Sequence, residues 1–308
     1  GTRTKNNNNF LKKSVIKITF KHILKYKQKT TQTLKGVLKM ISSGVIAIDN
    51  GGSSTGIVTK DKKEIFPSIK GLYGDRSLTE TYGKHDFVVD YQGVKYVMGT
   101  LAKYDCRLPL QMHTKTKQHI FFDLSTLVAI HQYGYSTNYL VTSVPISMHK
   151  ETEKFGIIER LIDDHIITVN GVTKKFNIMD VKVAPETAVA FWVNEPEGKS
   201  RYIDLGSRTI GYATTILEDG VTRFIDSESG TFNGKGLEAL ADDYDQQALA
   251  DYICGRLVSQ WQPMDVVYLL GGGALDTKLV SAISRYFPNA VVMDNPQMVN
   301  VLGMYQLG

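Results

Sequence analysis

Apolar residues in the body of this chain gather in short extended runs, separated by stretches where they recur at helical spacing. Residues 45–49 predict a strand running into Asn50-Gly51-Gly52-Ser53-Ser54, after which 56–58 continue extended. Glycines there supply positive φ, and the hydroxyls can donate outward. Residues 87–90 and 95–98 alternate around Gln92-Gly93 and predict a hairpin. It lies in a Gly-, Tyr- and charge-rich stretch, about 67–105, that reads as a small insertion. Residues 123–133 have helical spacing, 139–144 read as a buried strand stopped by Pro145, and 150–163 as a helix. A second hairpin pairs 166–169 with 173–176 across Asn170-Gly171. Residues 181–184 predict a strand, and Pro185 is placed to start a helix over 186–193.

Glu195-Pro196-Glu197-Gly198 reads as a break between two lobes, 40–194 and 195–308. Beyond it, 202–205, 211–216 and 221–226 predict a meander, and 237–260 a helical stretch. Residues 266–270 form a buried strand ending in Gly271-Gly272-Gly273. A helix over 276–286, a strand over 290–293 and a last helix from about Met298 complete the chain. Strands interleaved with helices, in two halves that each open with strand–turn–strand, predict an α/β fold with duplicated logic.

Composition narrows the function. Apolar residues make up 42% and charged residues 22% of 308, ordinary values for a soluble globular protein. No apolar run approaches the ~20 residues of a membrane-spanning helix. Cys106 and Cys254 stand far apart with no metal-binding spacing, which fits a cytoplasmic, reducing setting and argues against a structural zinc site. The net charge of +5 arises in the first 39 residues, which hold eleven Lys or Arg and no acid; the remainder has 25 basic against 31 acidic residues, or −6. A mildly acidic body argues against direct DNA binding. The basic segment admits three readings: a nucleic-acid arm, an amphipathic helix for a membrane surface, or a non-native leader. Lys35-Gly36-Val37 can be encoded so as to spell a ribosome-binding site just before Met40. The third reading is therefore expected, with 1–39 a leader without fixed structure.

Four segments carry candidate chemistry. In 46–54 and in 202–209 an apolar strand delivers an aspartate, Asp49 or Asp204, to a turn of Gly and hydroxyl residues. The backbone N–H groups and hydroxyls of such turns can cradle phosphate oxygens, and each Asp can hold water on a Mg²⁺ ion. One copy is an ordinary turn; two copies opening two halves suggest a clamp. Glu186 follows Pro185, where it either caps a helix or orients an attacking water. Gly271-Gly272-Gly273-Ala274 ends a strand in a loop that backbone-close ligands can approach. It is not GxGxxG and has no ribose-binding acid at the required spacing, so dinucleotide binding is disfavoured.

In this order the segments resemble the actin, Hsp70 and sugar-kinase superfamily, and more closely the plasmid-segregating bacterial actins of the ParM and AlfA type, over nearly all of 44–308. Asp49–Ser54 is similar to phosphate loop 1, Pro185-Glu186 to the first connecting helix and Asp204–Thr209 to phosphate loop 2. Gly271–Ala274 is similar to the adenosine motif, and 299–305, with Asn300, to the second connecting helix. The resemblance implies an actin-like fold of two duplicated RNase H-like lobes around a nucleotide cleft. Asp49 and Asp204 would organise Mg²⁺ through water, and Glu186 would position the hydrolytic water on ATP. Gly51, Gly52, Ser53, Ser54, Gly206, Ser207, Arg208 and Thr209 would hold phosphates, Gly271, Gly272, Gly273 and Ala274 would lie near the adenosine, and Asn300 would also face the nucleotide.

Only about 40 residues, 227–265, fill the place where most relatives insert an outer subdomain (IIB) in the second lobe, so that subdomain is expected to be reduced or absent, as in AlfA. The adenine-side wall would then involve Lys235 or Glu238. Arg208, unusual in such a loop, touches phosphate, a neighbouring subunit or only solvent. Missing length for a sugar pocket disfavours a small-metabolite or sugar kinase, and a division actin usually carries a membrane helix. The resemblance thus implies a cytoplasmic bacterial ATPase that assembles with itself into a helical filament. It would segregate plasmid DNA through a small DNA-binding adaptor, with no membrane partner.

Overall fold

The two Asn/Gln-Gly dipeptides form the turns their chemistry favours. Gln92 and Gly93 take φ 52° and 77°, Asn170 and Gly171 φ 50° and 78°, the paired positive angles of a type I′ hairpin. The structure is a computed structural model describing residues 42–74, 81–106, 116–234, 236–237 and 244–308. Expectations for 1–39 lie outside the described residues.

In chain order the strands are β1 (Ser43–Asn50), β2 (Ser54–Thr59), β3 (Lys63–Pro67), β4 (Lys70–Leu72), β5 (Asp86–Tyr91), β6 (Val94–Gly99), β7 (Thr137–Val144), β8 (Asp163–Val169) and β9 (Val172–Pro185). They form one sheet in the order β3-β2-β1-β7-β9-β8-β5-β6-β4. The strands of the stretch read as an insertion are thus continuous with this sheet, through β5 on β8. A second sheet holds β10 (Gly198–Leu205), β11 (Thr209–Glu218), β12 (Val221–Phe224), β14 (Val267–Leu270) and β15 (Ala290–Val292), with β13 (Gly230–Asn233) paired to β11. The helices are α1 (Thr100–Tyr104), α2 (Ile120–Tyr133), α3 (Glu151–Leu161), α4 (Phe191–Asn194), α5 (Gln246–Leu257), α6 (Thr277–Ser284) and α7 (Val299–Gln306). Among the described residues, no helix is long and apolar enough to cross a membrane.

Each sheet is built on the same unit. β1 pairs antiparallel with β2 and parallel with β7; β10 pairs antiparallel with β11 and parallel with β14. Parallel neighbours need apolar residues on both faces, which is why Ile46, Ala47 and Ile48, like Tyr202 and Ile203, are fully buried. α2 is buried along residues 122–131 and packs Phe122, Leu127 and Val128 against Ile46 and Ile48. In the second sheet Ile203 and Leu269 meet Leu249, Ile253, Trp261 and Phe287.

Three local expectations are corrected. Residues 173–176 and 181–184 belong to one 14-residue strand, β9, which carries its register with β7 to Val144↔Pro185 across a bulge near Asn138. The helix expected over 186–193 is absent. Glu186 instead donates its N–H to the Val144 carbonyl at 2.8 Å, and Thr187 sits at φ 70°, a left-handed position that interrupts helical backbone. A 3₁₀ turn, Ala188–Ala190, then leads into the short α4. The helical stretch 237–260 contributes α5, capped by Asp245, whose carboxylate accepts from Gln247 and Ala248.

The last helix returns to the first sheet. α7 packs Val301 and Met304 among Ala47, Val58, Val141 and Ala184. Gly303 permits this approach, since a Cβ there would stand 2.0 Å from the Val189 carbonyl oxygen.

Candidate functional site

The two candidate turns are the same structure twice. Asp49 pairs in register with Gly56, and Asp204 with Gly211. A Cβ on Gly51 would lie 2.8 Å from the Ser54 carbonyl oxygen, and one on Gly206 would lie 2.7 Å from that of Thr209. A tight turn of this shape needs glycine second from the aspartate in both copies.

The turns also meet. A Cβ on Gly52 would fall 2.5 Å from Ser207 Oγ and 2.7 Å from Arg208 Cγ, so the first turn lies against the second. Ser53 is exposed, and its carbonyl accepts from the Ser68 N–H at 2.9 Å. Ser54 and Thr209 open β2 and β11. Behind the second turn, Gly236 and Leu237 donate to the Arg208 and Gly206 carbonyls, both at 3.1 Å. Lys235 and Glu238 lie outside the described residues.

Three carboxylates converge here. Ser143 Oγ, at the end of β7, donates to Asp49 Oδ1 at 3.0 Å and reaches Glu186 Oε1 at 3.4 Å. Lys117 forms an ion pair with Glu186, and its Nζ lies 3.3 Å from the Ser143 carbonyl and 3.5 Å from that of Asn50. Asp204 accepts a 2.7 Å hydrogen bond from Asn300 Nδ2, while Asn300 Oδ1 accepts from the Thr187 N–H at 2.9 Å. Asn300, expected to face the nucleotide, is thus committed to Asp204 and Thr187.

Burial raises Asp49 to about 6, with Glu186 adding to the rise while Lys117 and Ser143 oppose it. Burial likewise raises Asp204 to about 7; the Asn300 and Thr187 bonds pull the other way, and Glu186 and Asp49 push it up further. Asp204 therefore feels both other acids through space, and Asp49 feels Glu186. A divalent cation would relieve that shared repulsion, so the donor chemistry fits one. Among the described residues, no group of three His, Cys, Asp or Glu is close enough to ligate a metal directly; an ion here would be held partly through water.

The glycine loop closes the second sheet's side. Gly271 adopts φ 83°, and a Cβ there would lie 2.4 Å from Asp204 Oδ1. Gly272–Leu275 form a 3₁₀ turn, and Gly273 abuts Leu205 and Leu237. Ala274 is buried in the second core, its methyl committed to packing. A pocket of about 280 Å³, counting its open mouth, is lined by Asn50, Gly51, Gly52, Ser68, Lys70, Phe122, Ser125 and Arg208.

Sequence reasoning did not single out Lys117, Ser143, Thr187 or Lys70. Lys117 and Ser143 lie outside the candidate motifs, Thr187 only follows Glu186, and Lys70 lies in the stretch read as an insertion. A lysine in a polar stretch carries no signal of its own, and Ser143 reads as one more residue of a buried strand.

Residues 47–188 match the family model for the N-terminal domain of actin-like proteins. No curated protein matches at a significant level. Among solved structures the chain is similar to a 15-stranded ParM filament from Clostridium botulinum, at 18% identity over 87% of this chain and 99% of that one, with TM-score 0.69. It is similar to the AlfA filament from a B. subtilis plasmid, at 21% identity over 85% and 97%, with TM-score 0.66. It is also similar to an archaeal actin homolog in complex with ADP, at 16% identity over 85% and 98%, with TM-score 0.66. With its paired sheets and duplicated turns, the chain carries the actin-like fold that these structures share.

Proposed function

We propose that residues 43–308 bind a magnesium–adenine nucleotide between the two turns, hydrolyse ATP and assemble head to tail into a filament. The observation carrying this reading is the meeting of Gly52 with Ser207 and Arg208 beside Asp49, Glu186 and Asp204. Bound nucleotide would supply a phosphoanhydride and the charge that the metal neutralises.

The chain's own groups then have separable roles. N–H groups of 51–54 and 206–209 face phosphate oxygens from both sides, with lobes 40–194 and 195–308 as the halves of the clamp. Asp49 and Asp204 hold metal-bound water. Glu186, fixed by Lys117 and Ser143, orients the attacking water and accepts its proton. Asn300 keeps Asp204 in place. The adenosine lies towards Gly271, Gly272 and Gly273, with Lys235 or Glu238 nearby.

Because the site draws on both sheets, the nucleotide's state would alter their angle and hence a subunit contact that does not close on itself. The similarity to ParM and AlfA filaments supports assembly, and by extension plasmid segregation in the cytoplasm through a small DNA-binding adaptor. The acidic balance of residues 40–308 favours an adaptor over direct DNA contact.

Sedimentation with ATP, ADP and a slowly hydrolysed analogue, alongside phosphate release, tests this. Polymer should form with ATP, and phosphate should follow assembly. Glu186→Ala should lose turnover and keep polymer. Turnover at the wild-type rate in that variant removes Glu186 from its role. Phosphoryl transfer to a small metabolite without polymer would instead identify a kinase of the same fold.

A further inference from the structure

Lys117 is a buried lysine held at both ends by carboxylates from different elements. It is 9% exposed and lies just before α2. Its Nζ pairs with Glu186 and lies 3.3 Å from the Ser143 carbonyl and 3.5 Å from that of Asn50. These acceptors sit at or next to the ends of β9, β7 and β1, three neighbours in the first sheet. The three donors of the ammonium group thus face three acceptors. At the other end, the Lys117 N–H donates to Glu153 Oε1 at 2.6 Å. The Glu153 carboxylate also accepts from Thr116 Oγ1 at 2.8 Å and from Gln118 Nε2 at 2.9 Å. Residues 116–118 are therefore gathered, as a strap, on one carboxylate in the first turn of α3.

Glu153 is not spent on its own helix. It holds the third position of α3, from which a glutamate can reach back to the N-cap N–H. That N–H, on Lys150, goes instead to the Met148 carbonyl at 2.7 Å, and the carboxylate turns outward to the strap. Gly156 serves the same contact. Glycine inside a helix weakens it, yet a Cβ here would stand 2.1 Å from Gln118 Oε1 and 2.3 Å from its Cδ. The helix gives up a side chain so that Gln118 can lie across it. At the far end of the chain of contacts, Lys117 and Ser143 both meet Glu186 at Oε1. That leaves Oε2 to face a water.

We propose that Glu153 is a positioning residue for Glu186, acting through Lys117, with Gly156 as the seat of the Gln118 side chain. This rests on the role in hydrolysis proposed above for Glu186. The seated strap keeps Lys117 extended across the three strand ends, and Lys117 fixes Oε1 so that Oε2 is aimed. Without Glu153, residues 116–118 lose their common acceptor, the ammonium group leaves its three partners, and the Glu186 side chain is free to turn. Glu153 lies outside the residues lining the pocket, so nucleotide is bound as before and hydrolysed slowly.

The test is steady-state phosphate release by the full chain with magnesium and ATP, for wild type, Glu153→Ala, Lys117→Met and the double variant. Slight misplacement of a reacting group can cost up to about 100-fold, so Glu153→Ala should lower kcat by about 10- to 100-fold and change KM by less than about twofold. Glu153→Gln keeps an acceptor for the Lys117 N–H and should recover most of the rate. The double variant should be no slower than Lys117→Met, because both substitutions cut one line of contact. Losses that multiply, a KM change as large as the kcat change, or wild-type kcat in Glu153→Ala overturns the proposal. If Glu153→Ala does not fold, Gly156→Ala decides. Alanine favours the helix while displacing Gln118, so lower kcat at an undiminished melting temperature supports the strap and wild-type kcat overturns it. Amide hydrogen exchange of the nucleotide-free protein reads the link without turnover. Exchange at 116–118 should be at least about 10-fold faster in Glu153→Ala and unchanged along β14. If wild type releases no phosphate, the hydrolysis reading fails; faster exchange at 116–118 then still shows that Glu153 holds Lys117, and unchanged exchange overturns that link too.

Discussion

Asp204→Asn separates the electrostatic cost of this site from its packing. Asp204 is 8% exposed, and its carboxyl is raised from 3.8 to about 7, chiefly by burial. A folded state that holds this proton more tightly than the unfolded chain loses stability as pH rises through the interval between the two values, here from about 4 to about 7. At pH 8 the whole cost is present. Some three pH units at 1.36 kcal/mol each come to about 4 kcal/mol as an upper bound. Asparagine is nearly isosteric and removes the charge, and its carbonyl can still accept from Asn300 Nδ2. Rearranged bonds with Thr187 reduce the gain, so the variant should be more stable than wild type by ~1–3 kcal/mol at pH 8. The difference should shrink towards pH 5. Asp49, raised to about 6, contributes in the same direction in both proteins. Lys70, lowered to about 7, acts oppositely, since its cost is present below that value and relieved above it. Urea unfolding of metal- and nucleotide-free protein at pH 5, 6.5 and 8 gives the comparison. Magnesium with nucleotide should stabilise wild type and not the variant. A variant no more stable at pH 8, with an unchanged pH slope, would show that Asp204 is not held under this strain.

Two glycines give predictions that rest on sterics alone. Gly271→Ala forces a side chain at φ 83° to within 2.4 Å of Asp204 Oδ1 and 2.8 Å of the Leu205 carbonyl oxygen, so thermal melts should show a loss of ~1–3 kcal/mol; an unchanged melting temperature would mean that the loop relaxes freely. Gly303→Ala places a Cβ 2.0 Å from the Val189 carbonyl oxygen, and pushing α7 off Ala188–Ala190 should cost ~1–3 kcal/mol in chemical unfolding. Wild-type stability there would contradict the close helix approach.

What the sequence made legible was local. Asp49, Gly51, Ser54 and Gly56 repeat as Asp204, Gly206, Thr209 and Gly211, and each set is fixed by one hairpin whose turn dictates residue type. The strands before them were legible because burial on both faces leaves an unbroken apolar run. Lys117 and Glu186 are 69 residues apart, Ser143 and Asp49 are 94 apart, and Lys70 meets Phe121 across 51. No periodicity encodes such pairs; they exist only once the strands of the first sheet and α2 are assembled. The misplaced helix at 186 has a similar origin. Pro185 and Glu186 make a sound helix start, but the β7 ladder extends through Pro185, and Thr187 then turns left-handed beneath Gly211, where a Cβ would meet Thr187 Oγ1 at 1.9 Å.

That turn also ties the two sheets together beside the candidate site. Asp204 belongs to the second sheet, yet Asn300, which holds it, lies on α7, and α7 packs on the first. Asn300 in turn accepts from the N–H of Thr187, in the segment crossing between the sheets. A hydrogen bond to a charged group contributes roughly 1.5–3 kcal/mol, enough to bias an angle between two bodies and too little to lock it. Any rotation that separates the sheets must lengthen the Asn300 bond or carry Asp204 away from Asp49 and Glu186. The first change removes one of the bonds that lower the Asp204 carboxyl; the second removes the smaller, charge-derived part of its rise, leaving the part due to burial. The charge on Asp204 is therefore linked to the contact between the sheets through Asn300, Asp49 and Glu186.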